Sequence, residues 1–219
     1  MKVLRDNGLT IVLMLLFLGS IVGQWLFGWR FENEELARHG ERPISLGQYA
    51  TDPQFLSTVF ENWESEFLQM AVFVVLTALL VQKGSAESNA PGDPPRDADL
   101  EQQGRKRGAP AILRSGWFGR NVYANSLGIV LALLFVASFV LHWIFSARFA
   151  RQEAESHGAQ APAMLEYLGD AQLWFESFQN WQSEFLSTAV LVVLSIWLRQ
   201  RESPESKAVA DPHSKTGTD

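Results

Sequence analysis

Two long stretches of this chain are almost wholly apolar, and they set the first expectation. Leu9 to Phe27 is broken only by Thr10, Gly19, Ser20, Gly23 and Gln24, with no charge. Asn125 to Phe145 repeats the pattern, and His142 is its one ionisable residue. Runs of this length match the roughly 20 helical residues needed to cross about 30 Å of hydrocarbon. Phe67–Val81 and Phe185–Leu198 are shorter charge-free runs. Taken with their polar N-terminal neighbours, they complete four predicted transmembrane helices, at about 8–28, 62–82, 126–146 and 180–199. The opening stretch, with Lys2 and Arg5 before an apolar core, also has the form of a signal peptide. That reading fails because the same segment recurs inside the chain.

The recurrence is gapless. Residues 7–88 align with 125–206 at a constant offset of 118, and 37 of the 82 pairs are identical, which is duplication rather than chance. Trp25/Trp143, Arg30/Arg148, His39/His157, Gly40/Gly158, Tyr49/Tyr167 and Asp52/Asp170 are among the matches. The densest block sets Asn62-Trp63-Glu64-Ser65-Glu66-Phe67 against Asn180-Trp181-Gln182-Ser183-Glu184-Phe185. The expected fold class is therefore an all-α membrane protein of two tandem helical hairpins. Repeat one covers 1–83 and repeat two 119–201. A disordered cytoplasmic linker covers 84–118 and a disordered tail 202–219, both rich in Gly, Ser, Pro and charge. Parallel repeats imply a pseudo-twofold axis along the membrane normal.

Local signals extend these helices beyond the membrane. Asp52 caps and Pro53 opens the second helix, and Asp170 begins its counterpart. The first helix runs on past Trp29 to His39, where Gly40 stops it. Each hairpin then projects above the outer surface, with Phe55, Phe60, Trp63, Phe67, Trp25 and Trp29 as an aromatic belt. Thirteen of the eighteen Lys and Arg residues lie in the N-terminus, linker and tail, so the positive-inside rule makes those parts and both termini cytoplasmic.

Candidate chemistry sits at one level. Counting about 20 residues back from Val81 and Leu198 places the outer boundary near Asn62 and Gln179. Glu66 and Glu184 then lie one turn inside, together with Gln24 and its counterpart His142; Asn62 and Asn180 stand one turn above the carboxylates. Arg30 and Arg148, at the rim, are the ion-pair partners within reach. An ionisable group at such depth is costly and faces a partner or an interior path. Two readings stand side by side. One makes the carboxylates helix–helix clamps in a structural protein that docks another membrane protein, or a second copy, through acidic, aromatic-rich hairpins. The other makes them a proton or cation pathway, in which His142 titrates near neutral pH.

Other classes fall away. No cysteine is present, so thiolate chemistry and disulfides are excluded, and a net charge of −6 argues against nucleic acid. No phosphate loop, His-Glu-x-x-His or nucleophile elbow occurs. Bis-histidine haem would need a second histidine at membrane depth. No enzyme, cofactor or metal is expected; the lipid bilayer is the expected partner. The duplicated Asn-Trp-x-Ser-Glu-Phe motif, at 62–67 and 180–185, resembles an uncharacterised family of small bacterial integral membrane proteins, a domain of unknown function. That resemblance implies a four-helix protein of the bacterial cytoplasmic membrane and carries over no activity.

Overall fold

Asp52 and Asp170 each start a helix here, and Gly40 follows the end of another, as local chemistry favours. In the computed structural model, residues 3, 6–90, 92, 94–95 and 97–217 are described; Lys2 and Arg5 lie outside them. Helix α1 spans Gly8–Arg38, α2 Leu46–Tyr49 and α3 Pro53–Leu79. The middle of the chain holds α4 (Leu100–Gly104), a 3-10 turn at Ala111–Arg114 and α5 (Trp117–Ala124). Then come α6 (Ser126–Ser156), a 3-10 turn at Glu166–Gly169, and α7 (Ala171–Leu194). Asp52 and Asp170 accept from the backbone N–H of Gln54 (2.9 Å) and Gln172 (2.8 Å), fixing the starts of α3 and α7. Gly40, at φ +74°, follows the end of α1 in the left-handed conformation that ends many helices.

The chain divides into two units. One comprises Met1–Val59 and His142–Tyr167, the other Phe60–Leu141 and Leu168–Asp219. In the first, the loop after α1 is bound back onto the helix. Trp25 and Trp29 donate their indole N–H to the carbonyls of Leu46 (3.1 Å) and Ile44 (2.7 Å), while Asn33 exchanges hydrogen bonds with the Ile44 backbone. Trp143, 118 residues after Trp25, donates to Met164, 118 residues after Leu46, at 2.9 Å. Tyr49 and Tyr167 are both buried; Tyr49 lies 5.2 Å from the Phe55 ring and Tyr167 shares a 2.9 Å hydrogen bond with Ser146.

The all-α class agrees with this architecture, but four transmembrane helices do not. Among the described residues only α1 and α6 are long and apolar enough to cross a membrane. The expected spans at 62–82 and 180–199 fail for a physical reason. Helix α3 stops at Leu79 and α7 at Leu194, so the charge-free helical runs from Phe67 and Phe185 reach only about 20 and 15 Å at 1.5 Å per residue. Each falls short of about 30 Å of hydrocarbon. The helix N-terminal to those runs is polar and is spent on pairing α3 with α7.

In the second unit the turns that follow α3 and α7 meet. The Ser85 and Ser195 hydroxyls are 2.9 Å apart, Gly84 N–H donates to Thr216 Oγ1 (2.8 Å), and Gly217 N–H donates to the Ser85 carbonyl (2.9 Å). Lys207 is buried among them. Its ammonium donates to the carbonyls of Gly84, Ile196, His213 and Lys215. Gly84 holds φ +90°, and a Cβ there would meet the His213 carbonyl at 3.0 Å, so glycine is required.

Candidate functional site

Helices α3 and α7 carry Glu61, Glu64, Glu66, Glu176 and Glu184 and no Lys or Arg, so their polar groups must be satisfied without basic partners on either helix. In the second unit they satisfy one another. Asn180 donates its amide to Glu61 and also to the Glu176 carbonyl (3.2 Å). Trp181 donates its indole N–H to the fully buried Glu64 carboxylate at 2.9 Å. Gln69 donates to Thr188 Oγ1 at 2.6 Å. The partners rise together along both helices, so this part of α3 runs parallel to α7, and their separations of 119, 117 and 119 residues bracket the offset of the sequence duplication. The result is a polar seam with apolar helix to its C-terminal side.

Within the seam two carboxyl pairs form. Oxygens of Glu61 and Glu176 lie within 4.8 Å of each other. Glu66 and Glu184 face each other at hydrogen-bonding range, Glu66 exposed and Glu184 half-buried. Burial pushes the Glu184 carboxyl above its ordinary 4.5, and the Glu66 charge and hydrogen bond push it the same way. Glu184 therefore holds its proton more tightly than an isolated carboxyl does.

A pH dependence follows. A carboxyl whose pKa is raised on folding binds its proton more tightly in the folded state, so its stabilising contribution is complete below about pH 4.5 and is lost as pH rises through the elevated folded value. Glu184→Gln keeps a hydrogen-bonding side chain and removes the charge. The variant is expected to unfold at a higher temperature than wild type at pH 7, with the difference shrinking toward pH 4.5. Thermal unfolding in mild neutral detergent across that range checks it, and identical pH slopes in the two proteins would show that Glu184 is not coupled to Glu66.

Of the residues singled out from sequence, the structure brings Glu66 and Glu184 together and engages Asn180 in the same seam. Asn62 is exposed on α3. Gln24 belongs to the other unit, where its amide donates to Thr58 at 3.2 Å; His142, also in that unit, is fully buried. Arg30 and Arg148 each lie over the Phe ring three residues earlier, at 5.7 Å from Phe27 and 5.5 Å from Phe145, a cation–π placement. Sequence reasoning missed Glu61, Glu64, Gln69 and Thr188. The absence of any basic residue on α3 and α7 was the available signal, because it leaves five carboxylates to be paired by other means.

Aromatic rings flank the seam. Trp181 meets Phe135 of α6 (6.3 Å) and Trp174 and Phe178 of its own helix (6.4 and 5.2 Å), and Phe139 meets Trp174 at 5.9 Å. Trp174, Phe175 and Phe178 remain exposed on α7.

Fold and seam together define an all-helical protein in which two helices are long and apolar enough to span a membrane. The chain belongs to the DUF6766 family, a domain of unknown function, whose model matches residues 1–218. No curated relative and no solved structure matches it.

Proposed function

We propose that this chain is a membrane protein whose apolar helices α1 and α6 are covered by lipid, in which the α3–α7 seam is a structural clamp that displays an acidic, aromatic face to a protein partner. The observation that carries the lipid contact is exposure. Leu9, Leu15 and Leu133 are 77%, 64% and 62% exposed, and no residue of α1 is buried, whereas an apolar helix in a soluble core is covered. Uncovered apolar surface of this extent calls for lipid. The assigned setting is the cytoplasmic membrane of a bacterial cell, with α3 and α7 on one side of it, since the two helices are bonded to each other.

Membrane fractionation tests this. The protein is expected to sediment with membranes and to stay with them through alkaline carbonate washing, and its recovery in the soluble fraction overturns the reading.

The clamp is supported by the way Asn180, Trp181 and Gln69 each find a partner on the opposite helix, which ties α3 to α7. The exposed Phe175 and Phe178 beside these carboxylates supply a docking face for a membrane protein with basic groups at its surface, or for a second copy of this chain. A Phe175→Ser, Phe178→Ser variant is expected to lose that association while keeping its fold. The second reading, a small proton or cation pathway, is favoured by Glu66 facing Glu184. Proteoliposomes separate the two. The clamp reading expects no flux above empty liposomes, whereas a flux abolished by Glu66→Gln with Glu184→Gln establishes the pathway.

A further inference from the structure

Beyond the Gln69–Thr188 bond, α3 and α7 enclose a groove of about 350 Å³, within the range of small-molecule sites. Phe73, Leu76 and Leu80 line one wall and Phe185, Ala189 and Val192 the other. The polar Gln69–Thr188 pair closes one end. At the other end the turn after α3 contributes Gln82, Glu87 and Ser88. That turn is fixed in place: Gln82 N–H donates to Ser88 Oγ (2.9 Å), Ser85 meets Ser195, and Gly84 is held by Thr216 and Lys207. Glu87 is half-buried there and faces Glu205 from the tail. Among the described residues that line the groove there is no Lys, Arg or His. The site is thus an apolar channel with two neighbouring carboxyls at one end.

We infer that this groove binds a single-chain amphiphile with a cationic amine head, its hydrocarbon tail along Phe73, Leu76 and Phe185 and its ammonium at Glu87 beside Glu205. Charge complementarity selects the head. The half-buried Glu87 carboxyl and the exposed Glu205 carboxyl beside it repel each other, and a cation between them removes that cost, whereas an anionic head adds a third negative charge. Burial first, then the Glu205 charge and hydrogen bond, raises the pKa of Glu87. Apolar walls select the tail, because a hydrocarbon chain gains free energy in proportion to the surface it buries. The inference does not depend on what docks at the seam, and it adds a ligand class to the proposal above.

The test uses the full-length protein in dodecyl maltoside, a neutral detergent. An alkyl trimethylammonium with a diazirine in its tail is photo-crosslinked and the adducts are mapped by mass spectrometry. Labelling is expected between Phe73 and Val81 and between Phe185 and Val192, competed by dodecyltrimethylammonium but not by dodecanoate or dodecylphosphocholine. Glu87→Gln with Glu205→Gln is expected to weaken labelling by about ten-fold, the worth of one partly desolvated charge pair. Ala189→Trp, which fills the groove, is expected to abolish it; should that variant fail to fold, Leu76→Trp fills the groove from the opposite wall. Equal competition by dodecanoate would show a groove that accepts any chain and would overturn the assignment of the head. Competition by dodecylphosphocholine as strong as by the cation would reassign the groove to bilayer lipid. Unchanged labelling in a folded, groove-filled variant would overturn the site itself.

Discussion

Replacing Trp181 by Ala is expected to destabilise the second unit by about 3 kcal/mol, the scale for deleting a large aromatic that is partly covered. Two losses combine. The indole ring is the junction of the Phe135, Trp174 and Phe178 contacts, so its removal leaves a void between α6 and α7. Its N–H also supplies Glu64, a carboxylate with no exposure, at 2.9 Å. Trp181→Phe separates the two effects, because it keeps most of the packing and deletes only the donor; its expected cost is about 2 kcal/mol, as for a hydrogen bond to a charged group. Trp63, 118 residues earlier, makes an edge-on contact with Phe60 of the same helix (5.4 Å), and Trp63→Ala, which leaves the Trp181–Glu64 bond in place, is expected to cost less. Thermal unfolding in detergent for the three variants gives the order Trp181→Ala, then Trp63→Ala and Trp181→Phe. Equal losses for the two Trp→Ala variants would show that the two copies pack alike and that the Glu64 bond adds nothing.

What could be read from the sequence was whatever local chemistry dictates. Asp52 with Pro53, and Asp170, start helices by capping, which needs only the neighbouring backbone N–H groups. The apolar blocks of α1 and α6 announce themselves by length alone. The end of α3 was not legible. Val81 is as apolar as the residues before it, and the chain leaves the helix at Leu79 into a turn where Gly84, Ser85 and Ser88 are bound by Ser195, Thr216 and Gln82. Ser195 and Thr216 are distant in sequence, and none of the three carries a helix-stop signature. An error in that end point propagates, because the depth of Glu66 was counted from it. Glu66 and Glu184, set at one level by that counting, meet nonetheless because they are equivalent positions of the duplication on two helices that run side by side.

Lys207→Met is expected to release the tail. The Lys207 ammonium is 1% exposed and donates to four carbonyls, at 2.9 Å to Lys215, 3.0 Å to His213, 3.2 Å to Ile196, and to Gly84. In an unfolded tail each of these groups is hydrated, so the folded arrangement holds only while the cation replaces that water. Methionine matches the stem and removes the donor. Each buried carbonyl left without a partner costs about 1–3 kcal/mol, more than a segment with little apolar core can sustain. The tail should therefore open locally while α1 and α6 stay intact. Limited trypsin digestion reads this directly: cleavage at Arg199 and Arg201 is expected to be slow in wild type and fast in the variant. Lys207→Arg is expected to fail as a rescue, because a planar guanidinium does not match a cage shaped for a compact ammonium. Fast wild-type cleavage at the same bonds would mean that the tail is free, as its composition alone suggested. Release also has a consequence at the groove. Gly84 belongs to the turn that carries Glu87, and Glu205 lies between Arg201 and Lys207, so opening the tail removes one carboxyl from the pair and frees the other. Lys207→Met should then weaken labelling by the cationic amphiphile although residue 207 does not line the groove.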